Sequence, residues 1–173
     1  LGIDSVKISR KLEKLGAKKI LDALLRVRFF DYPDFRIRKN GGVLRLREEG
    51  LRTFLVAKGK KIVKNGLKIV EETEFLVGDF DSVSRFLKML GFVMTVDQEK
   101  KRRSYEYRGV RFDIDEYPDG VIYLEIEAGT ASRIEAAIRL LGLEKFERSS
   151  ETATEFFSRK YPKVNFSRLK FKR

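Results

Sequence analysis

The chain contains no cysteine and no histidine. Without cysteine there are no disulfides, no thiolate metal sites and no thiol nucleophile. Without histidine the usual general base near neutral pH is gone, and so is the usual zinc ligand. Chemistry must then run on carboxylates, lysine, arginine, tyrosine, serine and threonine. A metal bound here would be a hard cation with oxygen ligands. Long apolar runs are missing too: none approaches the ~20 residues of a membrane span, and no signal peptide is visible. These absences predict a cytoplasmic protein with no membrane partner. No Gly-rich phosphate loop is present either, so phosphate binding would have to come from side chains.

What remains is a very polar chain. Its 173 residues are 42% hydrophobic and 37% charged, with a net charge of +12. That length predicts one domain able to bury a core. The positive excess attracts anions: nucleotides, polyphosphates, nucleic acid or acidic surfaces.

Two short stretches are charge-swapped copies of each other. Val43-Leu44-Arg45-Leu46-Arg47 alternates aliphatics with arginine, and Leu124-Glu125-Ile126-Glu127 alternates aliphatics with glutamate. Successive side chains of a strand point to opposite faces. One ribbon therefore shows a cationic face and the other an anionic face, each backed by an apolar one. Glu72-Thr73-Glu74-Phe75 and Lys100-Lys101-Arg102-Arg103 follow the same rule. Solubility requires polar outer faces but does not require them sorted by sign. Sorting points to a device that holds an anion together with a cation, as a polyphosphate with its divalent metal would need.

Helical spacing occurs three times, each ending in Leu-Gly, at Gly16, Gly91 and Gly142. Glycine just past the last apolar position is the expected left-handed C-cap. Asp4 and Asp81 are the expected N-caps. A fourth short helix is expected after Ser149-Ser150, ending before Pro162. Strands are expected near 25–30, 34–38, 43–48, 52–58, 68–77, 100–107, 110–115 and 121–128. Asn40-Gly41-Gly42, Asn65-Gly66, Arg108-Gly109 and Asp119-Gly120 separate them as hairpin turns, which implies an antiparallel sheet. The order helix, strands, helix, strands also raises an internal duplication, with Tyr32-Pro33-Asp34 and Tyr117-Pro118-Asp119 as its markers. Periodicity leaves two architectures open: a flat sheet with its charges in water, or a closed barrel with its charges in the lumen and helices outside.

The motif order resembles that of the CYTH superfamily, the triphosphate tunnel metalloenzymes. The residues carrying the resemblance are Leu44-Arg45-Leu46-Arg47-Glu48, Lys58, Glu72-x-Glu74, Lys100-x-Arg102 ahead of Tyr105, Asp113-x-Asp115 and Leu124-Glu125-Ile126-Glu127, across roughly residues 5 to 157. The resemblance implies an α+β fold: an eight-stranded antiparallel β-barrel, or tunnel, with a charged lumen and helices packed outside. The family's N-terminal Glu-x-Glu-x-Lys strand does not occur in this sequence. Either it lies upstream of Leu1, or the site has lost two carboxylates and one lysine. The run Asn165–Lys172 alternates in a way that could pair as a strand. The tunnel domain is expected over 1–160, followed by a basic tail at 161–173.

In family register, Arg45, Arg47, Lys58, Lys100 and Arg102 would bind phosphate. Glu72, Glu74, Asp113, Asp115, Glu125 and Glu127 would bind Mg²⁺ or Mn²⁺, with Glu125 and Glu127 also catalytic. Guanidinium forks match phosphate oxygens, and six convergent carboxylates call for a cation between them. Taken alone, the same residues could be solvated strand faces or internal salt bridges, and Lys60, Lys61 and Lys64 read as solvent-exposed. Tyr105 and Tyr107 read as packing residues rather than base-stacking ones. The implied activity is metal-dependent hydrolysis of a triphosphate (inorganic, thiamine or nucleoside). A class IV-type adenylate cyclase is the second reading. A noncatalytic binder of polyphosphate or RNA is a rival of another class. The partner is a triphosphate-containing small molecule, and the protein is a monomer or homodimer.

Overall fold

The computed structural model describes residues 4–60, 62–64, 67–149, 151, 153–162 and 164–172. The Asn65-Gly66 turn, Lys61 and Ser150 lie outside the described residues. Among the described residues are five α-helices: α1 (Ser5–Lys14), α2 (Arg36–Lys39), α3 (Phe80–Met89), α4 (Ala131–Leu141) and α5 (Ala153–Lys160). The described residues also form nine strands: β1 (Lys18–Asp31), β2 (Val43–Glu49), β3 (Arg52–Lys58), β4 (Ile62–Lys64), β5 (Leu67–Ile69), β6 (Glu72–Val77), β7 (Val93–Tyr107), β8 (Val110–Glu116) and β9 (Ile122–Ala128). Among the described residues no helix is long and apolar enough to cross a membrane.

Seven strands form one antiparallel sheet in the order β6-β3-β2-β1-β7-β8-β9, and β4 and β5 pair separately. The expected eight-stranded barrel thus takes the form of a seven-stranded sheet in which β6 and β9 are not bonded to each other. The sheet is nevertheless curved. Glu125 on β9 acts electrostatically on Arg45 of β2, and Lys58 of β3 acts on Glu127 of β9. Those strands lie at opposite sides of the strand order, so the charged face is concave.

The helices cover the other face. Ile8 and Leu12 of α1, with Ala137, Ile138 and Leu141 of α4, pack on Tyr105, Phe112 and Ile114. Phe80 and Leu87 of α3 pack on Phe30 and Leu46. Tyr105 is fully buried, as its packing assignment requires, and donates to Glu13 at 2.9 Å. Local signals explain the helix ends. Asp4 caps α1 through the Val6 and Lys7 amides, and Gly142 closes α4 at φ 67°. The α3 cap is Asp79 rather than Asp81. Asp81 stands in the first turn and pairs instead with Arg28 at 2.6 Å and Arg26 at 3.4 Å.

The segment 34–38, expected as a strand, is a turn leading into α2. The buried Asp31 carboxylate accepts the amides of Tyr32, Ile37 and Arg38 at 2.8, 3.0 and 3.0 Å. A side chain that satisfies three amides at once outcompetes a strand ladder for this segment. The duplication has a structural counterpart: β1-β2-β3 and β7-β8-β9 extend outward from the central β1/β7 pair, each set following a helix. The two Tyr-Pro-Asp tripeptides are not equivalent in it, because one follows the first strand of its half and the other the second.

The C-terminal segment docks without forming a strand. Phe166–Arg168 make a tight turn, and the Glu99 amide donates to the Leu169 carbonyl at 2.8 Å. Lys170 pairs with Asp97 at 2.7 Å. Phe157 of α5 stacks on Phe166 at 4.3 Å and meets Tyr117 edge-on at 4.8 Å. Since Phe157 is 1% exposed, Phe157→Ala should cost about 3–5 kcal/mol and release the segment. Denaturant unfolding together with limited trypsin digestion would show both effects. A loss below about 1 kcal/mol, well under the usual range for a buried aromatic, would mean that α5 is not part of the cooperative core.

Candidate active site

Cross-strand register places every candidate residue on the same face. Arg45 and Arg47 stand opposite Val56 and Phe54 of β3, in line with Lys58. Lys58 and Val56 face Glu72 and Glu74. In the other half, Arg102 faces Asp115, and Asp113 faces Glu125. The outward members of the same runs serve the helix side. Arg103 bonds Glu116 and the Ser9 hydroxyl, while Lys101 lies over the Phe171 ring.

The eleven groups do not form one uniform cluster. At the centre, Asp115 is 1% exposed. Its oxygens accept from Lys100 at 2.6 Å and from Arg102 at 2.6 and 2.7 Å. Burial alone would raise this carboxyl, but Lys100 and Arg102 outweigh burial and hold it at about 2. Burial brings Lys100 down to about 8, with its bond to Asp115 opposing and the Arg102 and Arg45 charges adding to the fall. Burial would also lower Arg102, yet Asp115 and Asp113 raise it above its ordinary range. Asp113 closes the set, accepting from Arg102 at 2.7 Å and Arg111 at 3.0 Å.

At the β6 side, Glu72 pairs with Lys58 at 2.7 Å and Glu74 with Arg47 at 2.9 Å. Glu72 is lowered by those cations despite the opposing effect of burial. Arg45 is different. Its nearest carboxylate is Glu72 at 3.8 Å, and its buried Nε has no hydrogen-bond partner among the described residues. Burial, then the charges of Arg47 and Arg102, push Arg45 down to about 10 against the pull of Glu72 and Glu125. A half-buried guanidinium crowded by two others has a strong demand for an anion.

At the β9 side the sign reverses. Glu125 is 3.7 Å from Arg102, and Glu127 has no ion pair within 4 Å among the described residues. Partial burial, then the Glu125 and Asp113 charges, push Glu127 up. Among the described residues no three carboxylates converge at metal-ligand spacing. Four of the six expected metal ligands (Glu72, Glu74, Asp113 and Asp115) are held by cations at 2.9 Å or closer, whereas Glu125 has only the longer 3.7 Å contact with Arg102, which makes Glu125 and Glu127 the less engaged pair. That donor set suits Mg²⁺ or Mn²⁺, which take one or two carboxylates and complete their shells with waters and phosphate oxygens.

Two residues of the face escaped the sequence reading. Arg111 is two residues ahead of Asp113 and Tyr123 two ahead of Glu125, so the same alternation marked both. Tyr123 turns toward α5, its ring 5.8 Å from Phe156, and burial and then Glu125 push its hydroxyl up to about 12.

Known proteins resemble this chain in sequence and fold. A protein of Methanocaldococcus jannaschii named "Putative adenylate cyclase MJ0240" is 31% identical over 124 residues, spanning 72% of this chain and 70% of that protein. Among solved structures, the PH1819 protein of Pyrococcus horikoshii is 25% identical at a TM-score of 0.70, with 92% of this chain and 96% of that one covered. The PH1012 protein of the same organism is 24% identical at a TM-score of 0.74, with 88% and 93% covered. A Hippeastrum protein, HpAC1, described as a "Putative adenylyl cyclase" with "a dominant triphophatase activity", matches at a TM-score of 0.67 and 16% identity over 90% of this chain and 91% of its own. The CYTH domain family matches residues 3–155, and the chain belongs to it.

Proposed function

We propose that the protein hydrolyses a triphosphate in a metal-dependent reaction on the concave face. The observation that carries this reading is Arg45, a half-buried guanidinium crowded by Arg47 and Arg102, whose buried Nε lacks a hydrogen-bond partner among the described residues. A polyphosphate would supply the missing anion. Arg45, Arg47, Lys58, Lys100 and Arg102 bind the phosphate oxygens and offset charge that builds in the transition state. Asp113 and Asp115 neutralise Arg102 and Lys100 until phosphate competes for them. Glu72 and Glu74 neutralise the cations of β2 and β3 until phosphate replaces them. Glu125 and Glu127 would hold Mg²⁺ or Mn²⁺, which supplies positive charge at the phosphoryl oxygens. Either carboxylate can orient the attacking water.

The name of the M. jannaschii relative favours a second reading, in which the ribose 3′-hydroxyl of ATP attacks the α-phosphate on the same face. Products separate the two. Incubation with tripolyphosphate, ATP and thiamine triphosphate, with and without Mg²⁺ or Mn²⁺, should release inorganic phosphate only when metal is present. Cyclic AMP with pyrophosphate would establish the cyclase instead, and binding without turnover would establish a noncatalytic binder. Arg45→Ala should weaken tripolyphosphate binding about 10- to 100-fold, the equivalent of one charge-assisted bidentate contact, with circular dichroism unchanged. Undiminished affinity would move the anion site away from β2.

A further inference from the structure

The two halves of the sheet are covered unequally on the convex side. Two helices in contact, α1 and α4, lie over β7, β8 and β9 and together bury Tyr105, Phe112 and Ile114. Over β2 lies α3, whose Phe80 and Leu87 bury Phe30 and Leu46. Among the described residues no second helix of that length accompanies it. The surface beside α3 is exposed, and helical periodicity shows which surface it is. At 3.6 residues per turn, Asp81 stands on one flank of α3, while Val83, Phe86 and Leu90 follow one another along the opposite flank. Asp81 pairs with Arg26 and Arg28 of β1, so the apolar flank is turned toward β3 and β6. Leu55 and Phe75 are cross-strand partners there, and Leu55, Val77 and Val83 pack against the α3 core. Phe75 remains 59% exposed, Phe86 58% and Leu90 56%, while Met89, on the outward side of the helix, is 85% exposed.

These residues form an apolar groove one helix wide, with the α3 flank as its wall and β3 and β6 as its floor. At about 150–250 Å² per large side chain, the exposed parts of Phe75, Phe86, Met89 and Leu90 amount to on the order of 500 Å², near the upper end for the largest apolar patch on a monomer. With a polar rim added, that approaches the roughly 800 Å² per partner of a stable complex. A second copy of α3 fits the groove. Laid antiparallel about a two-fold axis, it sets Val83, Phe86 and Leu90 against the same three residues, with the helix dipoles opposed. Its outward Met89 then lies over Leu55 and Phe75 of the first copy, and the reverse contact follows by symmetry. Each exposed apolar residue of the groove is covered, and the assembly closes at two copies. The cations of the helix do not oppose this. Arg85 and Lys88 fall on the Asp81 side, so two chains of +12 each meet where neither α3 presents a cation.

We propose that the groove between α3 and β6 is the interface of a symmetric homodimer, in which the α3 of each copy seats in the groove of the other. The proposal is independent of the triphosphate reading, since the groove lies on the face opposite the charged one. Sedimentation velocity should show a species of twice 20.2 kDa at about 10 µM protein, where a standard-sized interface is associated. Met89→Glu should weaken association at least about 100-fold, because the two-fold axis repeats each lost contact and each added charge. Met89 is the most exposed apolar residue of α3, so the variant folds, and an unchanged circular dichroism spectrum verifies that. Leu140→Glu makes the same kind of change on α4 and should leave the dimer intact. The chain has no cysteine, so Phe86→Cys introduces a single thiol close to the two-fold axis. Mild oxidation should link it into a covalent dimer, which requires Cα atoms within about 7 Å of each other, and should leave Leu140→Cys unlinked. Should Met89→Glu misfold, the cross-link decides. A monomer at about 100 µM, above the dissociation constants of standard interfaces, overturns the proposal and leaves the groove to a helix of another protein. A dimer that survives Met89→Glu, or one in which Phe86→Cys fails to link, has its interface elsewhere and overturns the proposal equally.

Discussion

Replacing Glu125 or Glu127 with glutamine is expected to cut metal-dependent triphosphate turnover by at least about 100-fold, since changing even the outer partners of a metal site costs 10- to 100-fold. Stability should hold or rise. The Glu127 carboxyl is pushed up by partial burial and by the Glu125 and Asp113 charges, so its ionised form is disfavoured in the fold, and glutamine removes that cost at neutral pH. Tripolyphosphate affinity without metal should also persist, because Arg45, Arg47, Lys58 and Lys100 are untouched. The informative result is a variant that melts no lower, binds tripolyphosphate and does not turn it over. Turnover unchanged at saturating Mg²⁺ in both variants would place the metal elsewhere.

The shared face of Arg45, Arg47, Lys58, Glu72, Glu74, Lys100, Arg102, Asp113, Asp115, Glu125 and Glu127 was legible because each pair sits on an unbroken two-residue alternation. A strand cannot hide that period. Where the period breaks, legibility fails. The first strand was read as 25–30 but runs from Lys18, because the bulge at Ile20 shifts the phase and makes Lys18-Lys19-Ile20-Leu21 look unpatterned. The lower half of β7 is obscured in the same way by the register shift near Phe29/Phe30. Segment 34–38 was misread because Asp31 decides it, and a carboxylate that caps amides up to seven residues away leaves no periodic mark. Charge pairing was the least legible. Alternation puts six carboxylates on one face, but only the folded register shows that Asp113 and Asp115 are tied to Arg102 and Lys100 while Glu127 has no such tie. The structure thereby separates acids that set cations in place from acids free to take one.

That separation sets the largest stability effect. Asp115→Asn removes a charge that answers two buried cations, since Lys100 and Arg102 are each 8% exposed. Breaking one side of a buried pair costs about 3–5 kcal/mol because the partner charges stay buried. Urea unfolding should show a loss of that size, and a change below about 1 kcal/mol, the scale of an exposed pair, would mean that water or relaxation already neutralises the cations. In the parent protein the same linkage has a defined pH window. A carboxyl held at about 2 against an ordinary 3.8 contributes stability that is fully present above the unfolded value. Its contribution of about 2 kcal/mol is lost as pH falls from about 3.8 toward 2. The variant should lack that step in its acid unfolding. Tripolyphosphate then supplies the decisive measurement. With Asp115 gone, Lys100 and Arg102 have more to gain from an external anion, and a ligand that binds only the folded state raises stability by RT ln(1 + [L]/Kd). The Asn variant should therefore gain more in melting temperature from saturating tripolyphosphate than the parent does. An equal or smaller gain would show that these two cations do not meet the phosphates, and would remove Lys100 and Arg102 from the binding site.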